Sequence, residues 1–179
     1  MTTEYPRPNL QVPKKPRANT PPLVTAVVGV AILSILVAIL YPVFRAAQPV
    51  SNRTRCISSV KSITLGFSIY SDDYDELLPP APKWMDLITK LVNRDTIETQ
   101  FHDREGVAPG EYGYAFRTQA GKLKKSSVTS SSEFMLVFDT DLHGRNAVGD
   151  PSSLPSPGRH QGMDVVGYLD GHVKALPVP

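Results

Sequence analysis

The residues best equipped for chemistry gather toward the C-terminus: His160, Asp170 and His172, with Asp139, Asp141 and His143 upstream. Imidazole nitrogens and carboxylate oxygens are the donors a divalent cation takes. Asp170-Gly171 is a turn signal, so His160 just before the hairpin and His172 in its turn could meet around Asp170. That would make a metal site of two imidazoles and a carboxylate, with Asp139, Asp141 or His143 completing it. A simpler role for His160 is a hydrogen bond to Asp170 or the backbone nearby, fastening the hairpin to the loop that precedes it. Chain spacing of the kind metal sites use is absent, which favours the simpler role.

The other reactive groups read more plainly. Cys56 is the only cysteine, which excludes an internal disulfide and a thiolate zinc cluster and leaves a small residue on a packed or partly exposed helix face. Asp72-Asp73-Tyr74-Asp75-Glu76 opposes the dipole at a helix C-terminus and does not follow EF-hand spacing, so it reads as a solvated run. No nucleophile motif, glycine-rich phosphate loop or HExxH occurs. The chain is therefore expected to be non-enzymatic.

The elements that must position these groups follow from periodicity. Val165 to Tyr168 and Val173 to Leu176 flank Asp-Gly as a two-residue hairpin, which pairs Tyr168 with Val173 and Val166 with Ala175. Those four would then form the core face. Glu111 to Phe116 and Glu133 to Phe138 read as strands, and Lys83 to Val92 as a short helix. Upstream, Ile57, Val60, Ile63, Phe67, Tyr70 and Tyr74 line one stripe of an amphipathic arm. Residues 42–76 form that arm and residues 77–179 an α+β head with a small antiparallel sheet.

The arm is preceded by Leu23 to Tyr41, a stretch without a charge. As a helix it reaches roughly 30 Å, the thickness of a bilayer's hydrocarbon core. It is too long for a signal peptide and has no polar face for a soluble core, so residues 23–41 are read as a transmembrane helix. Pro42 and Pro49 can interrupt it. Residues 1–22 are a basic, proline-rich tail read as disordered. Basic residues flank both sides of the span, and charge alone gives no orientation.

The chain's 179 residues leave room for one small domain, and 19 Lys+Arg against 17 Asp+Glu give a net charge of +2. The one basic cluster after the tail and the span, Lys122, Lys124 and Lys125, reads as a solvated turn, so no nucleic-acid partner is expected.

Taken together, His160 with nine residues before Asp170-Gly171, the continuation His172-Val173-Lys174, Tyr41-Pro42-Val43-Phe44, the Cys56 to Ile63 and Tyr70 to Glu76 segments, Tyr112-Gly113-Tyr114 and Ser132 to Asp139 resemble the H-X9-DG group of pilin-like proteins, relatives of type II secretion pseudopilins. The resemblance implies a long N-terminal helix carrying an antiparallel-sheet head, with the tail in the cytoplasm and the head outside the inner membrane. It implies a structural subunit of a secretion or pilus-type assembly, in contact with the lipid bilayer and with other membrane proteins through residues 23–41 and the arm. His160, Asp170, Gly171 and His172 would then be a structural motif. If an ion is bound, the resemblance points to calcium, with Asp139, Asp141 and Asp150 as donors. Where prepilins carry the cleavage-site glycine, the phenylalanine and the assembly glutamate, this chain has Thr20, Pro21 and Thr25. Prepilin peptidase is therefore expected to leave it uncut. Its small residues Gly29, Ala31 and Ser34 would permit close helix packing in another membrane complex.

Overall fold

The computed structural model describes residues 21–91, 94–103, 105 and 107–178, so the tail lies outside the described residues. Two compact units divide at Val43 and Phe44. One long helix, α1 (Pro22–Asp73), contributes to both.

In the first unit, α1 begins at Pro22, with the Pro21 carbonyl accepting the amides of Val24 and Thr25. Its large apolar side chains, including Val27, Val30, Leu33, Ile35, Val37 and Ile39, are exposed on every side. This helix is long and apolar enough to cross a membrane, and none of its most apolar stretch is buried. The interruption expected at Pro42 and Pro49 does not occur, because helix continues past both. Each proline removes only one donor, and the neighbouring rungs carry the helix on.

The second unit is α+β. Beyond α1 it contains α2 (Trp84–Leu91), α3 (Arg94–Gln100), β1 (Tyr114–Arg117), β2 (Met135–Asp139), β3 (Val148–Gly149), β4 (Met163–Tyr168) and β5 (Val173–Pro177). The sheet order is β3-β1-β2-β4-β5. It is mixed rather than antiparallel throughout, since β3 runs parallel to β1. A two-residue strand has no period to read, which is why β3 escapes sequence reasoning.

One face of the sheet is covered by the second half of α1. Cys56, Val60, Ile63 and Phe67 are buried there with Trp84, Phe116, Val137 and Val165. Phe67 stacks on Phe116 at 4.9 Å and on Trp84 at 5.5 Å. Helix and sheet approach tightly at Gly167, where an added Cβ would lie 2.6 Å from Thr64 Cγ2 and 2.8 Å from Val60 Cγ1. The buried stripe departs from the expected one at its ends: Cys56 is inside while Ile57 is half-buried, and Tyr74 is exposed and stacks on Tyr70 at 4.3 Å. Residues 72–76 are solvent-exposed, as expected for the acidic run.

The opposite face gathers Ala115, Phe138, Val166 and Tyr168. Here the hairpin register corrects the sequence reading. The turn has three residues, Leu169 to Gly171, closed by Gly171 N–H to the Tyr168 carbonyl, with Gly171 at φ +91°. Val166 therefore opposes Lys174 and Val165 opposes Ala175. A one-residue slip moves every side chain to the other face, so the expected four-residue core face does not form. Both Val165 and Val166 are fully buried, and alternation cannot choose a register for a strand covered on both sides.

Candidate functional site

Five chain segments bring polar groups together beneath the second half of α1. Cys56 comes from α1, Asp103 from the loop after α3, Tyr114 from β1, Asp139 from the last position of β2, and Arg159 with His160 from the loop before β4. Cys56, Asp103, Asp139 and His160 are all buried. An uncompensated carboxylate there would be very unfavourable, so the partners define the site.

Asp139 is held from three directions. Its Oδ2 accepts the Val165 amide at 2.7 Å and lies 3.5 Å from His160 Nε2, and its Oδ1 lies 3.4 Å from Cys56 Sγ. The Cys56 sulfur also accepts the Tyr114 hydroxyl at 3.3 Å. His160 Nδ1 is 2.9 Å from Glu105 Oε2, and because a carboxylate only accepts, Nδ1 carries the proton. Among the described residues His160 Nε2 is buried without a hydrogen-bond partner, with oxygens of Asp139 and Asp103 each at 3.5 Å.

Arg159 supports the other side. Its guanidinium reaches Asp103 Oδ2 at 3.4 Å, the Gly113 carbonyl at 3.1 Å, the Thr140 carbonyl, and Asp141 Oδ1 at 3.4 Å. Its amide donates to Asp164 Oδ1 at 2.9 Å. Gly113 is required by this crowding, since a Cβ there would stand 2.6 Å from Asp103 Cβ and 3.2 Å from the Arg159 guanidinium.

Burial opposes a charged His160, but the carboxylates of Asp139, Glu105 and Asp103 outweigh it and raise the imidazole to about 9. Burial, reinforced by Asp139 and Asp103, pushes the Cys56 thiol well up. Burial and then Asp139 raise Asp103, and burial raises Asp164 to about 6. A cleft of about 280 Å³ lined by Arg55, Cys56, Ser59, Gln100, Asp103 and Tyr114 reaches the sulfur side of the cluster.

Of the residues singled out in the sequence, Asp139 and His160 meet here, and Asp141 touches the edge through Arg159 with its own side chain 68% exposed. Asp170 does not join them. It sits beyond the far end of β4 from His160, roughly 20 Å along a strand of this length, and its carboxylate accepts the His172 amide at 3.1 Å and contacts the His172 ring. The expected convergence of His160, Asp170 and His172 therefore fails: the two ends of the motif serve different loops. His160 instead fastens its own loop through its amide to the Met163 carbonyl at 2.8 Å. His143 faces the Tyr112 carbonyl, and Asp150 belongs to the turn closed by Ser153. Cys56, Asp103, Glu105, Arg159 and Asp164 were missed. The available signal was Asp139 itself, a carboxylate ending an otherwise apolar strand, which demands buried partners.

Unlike this cluster, Arg145 forms a half-exposed clamp to Asp86 at 2.7 Å, Glu98 at 2.6 Å and the Tyr112 hydroxyl at 2.6 Å. It ties α2 and α3 to the loop before β3. The chain matches no protein-family model, no curated protein and no solved structure.

Proposed function

We propose that this protein is a non-enzymatic, single-pass membrane protein whose pilin-like head acts as a structural subunit of a secretion or pilus-type assembly. The observation that carries the reading is the change along α1: residues 23–41 expose apolar side chains all round, while Cys56, Val60, Ile63 and Phe67 are buried in an α+β unit. Lipid is the solvent that suits the first pattern. The tail lies in the cytoplasm and the head outside the inner membrane, an orientation taken from the H-X9-DG resemblance. Thr20, Pro21 and Thr25 favour a permanent anchor left uncut by prepilin peptidase.

A second reading is an accessory subunit of a different membrane complex. It is favoured by Thr25, which stands where pilins carry their assembly glutamate, and by Gly29, around which a Cβ would meet nothing within 4 Å. Purification in mild detergent, with identification of co-purifying chains, separates the two. Pilus or secretion components support the first reading, and a stable complex of unrelated membrane proteins replaces it with the second. A mature N-terminus at Pro21 by mass spectrometry would refute the permanent anchor.

A further inference from the structure

We propose that Cys56, Asp103, Asp139 and His160 form a closed tetrahedral site for a zinc-class divalent ion that ties α1 to the sheet and its loops. Their four donor atoms lie within 4.8 Å of one another. His160 Nε2 stands 3.5 Å from both Asp103 Oδ2 and Asp139 Oδ2, and Cys56 Sγ stands 3.4 Å from Asp139 Oδ1. A direct N–H···O bond would bring nitrogen and oxygen to about 2.9 Å. An ion with bonds of about 2.0 to 2.3 Å to N, O and S sets its donors about 3.3 to 3.8 Å apart, and these three distances fall in that range, with the donor atoms of the whole set within 4.8 Å.

An independent observation comes from His160. Its Nδ1–H is engaged by Glu105 at 2.9 Å, so in the neutral imidazole Nε2 carries the lone pair, and it lies buried 3.5 Å from two carboxylates without a hydrogen-bond partner among the described residues. A carboxylate holding one imidazole nitrogen so that the other can bind metal is the usual outer-shell arrangement. Tyr114 O–H on the Cys56 sulfur and Val165 N–H on Asp139 complete that shell.

The charges and donor types agree. A thiolate and two carboxylates exceed a divalent ion by one negative charge, which Arg159, 3.4 Å from Asp103, neutralises. Sulfur and imidazole select zinc-class ions over calcium or magnesium, whose ligands are oxygens. Four protein ligands leave no open position, so the site is structural. Binding expels the thiol proton of Cys56, and any proton on His160 Nε2, to solvent. The cleft at Cys56 and Asp103 supplies the entry path. The competing occupant is a proton alone, with His160 as an imidazolium between its carboxylates.

The test uses the full chain in mild detergent, stripped with chelator and titrated with Co(II) and then Zn(II). A tetrahedral visible spectrum with a thiolate-to-cobalt charge-transfer band, erased by stoichiometric zinc, is expected. Zinc at a hundredfold excess over its dissociation constant should raise the melting temperature by about 8 °C. In folded Cys56→Ser the charge-transfer band should vanish, and Asp170→Asn should bind as wild type does. A wild-type spectrum without tetrahedral intensity or a charge-transfer band, together with a melting temperature indifferent to zinc, overturns the site and leaves the proton as its occupant. The wild-type spectrum decides even if Cys56→Ser does not fold.

Discussion

The two halves of α1 are made from similar apolar residues and meet opposite surroundings. Ile35 is 59% exposed and Ile63 is fully buried, on one continuous helix. The first half has no polar face, so no orientation against a protein core would satisfy it. The second has one apolar stripe, flanked by Ser58, Lys61 and Ser62, and that stripe lies on β1, β2 and β4. The difference teaches that helix formation is common to both and that side-chain distribution separates them: one half is apolar all round, as a membrane-crossing helix is, and the other lays a single stripe against a sheet.

The contrast can be broken most severely at Ile63. Ile63→Asp places a carboxylate in the core with no partner, and loss of the folded head is expected, a destabilisation of about 5 kcal/mol or more, seen as a missing unfolding transition in circular dichroism. Next in size is His160. In chelator, its folded value near 9 lies above the ordinary 6.5. Its contribution, about 3 kcal/mol, is complete below pH 6.5 and lost as pH rises through 9. Asp164, raised to about 6, acts in the same sense, its stabilisation declining as pH climbs from 3.8 to 6. Melting temperatures in chelator should therefore fall from pH 6 to pH 10, and His160→Gln should flatten that fall.

A smaller effect is expected at Gly167. Gly167→Ala forces a methyl to within 2.6 Å of Thr64 and should cost about 1 to 3 kcal/mol by denaturant unfolding, through overpacking alone. Smallest is Leu65→Lys, on the 59% exposed side of the same helix two residues from Ile63, where a change within about 0.5 kcal/mol is expected. A large cost at Leu65 would show that the arm's outer side is covered too.

What could be read in the chain depended on how far its partners lay. Residues 23–41 needed no partner, and the Val60-Ile63-Phe67 stripe needed only its own period. Asp170-Gly171 located a turn in which the Asp170 carboxylate reaches only as far as His172, two residues on. Its register was illegible because β4 is buried on both faces. The buried cluster was illegible for a different reason: Cys56 meets Asp139 across 83 positions and His160 meets Glu105 across 55. Single residues such as Cys56 and Asp103 carry no local mark of such meetings. The H-X9-DG spacing suggested that His160 and Asp170 act together, whereas the fold uses them at opposite ends of one strand.

The assignment of lipid to the first half of α1 is tested most directly by alkaline carbonate extraction of membranes from cells expressing either the full chain or a chain lacking residues 23–41. Retention of the full chain in the membrane pellet, with release of the deleted chain as a folded head of unchanged melting temperature, is the result predicted. Release of the full chain into the carbonate supernatant, or retention of the deleted one, would contradict it.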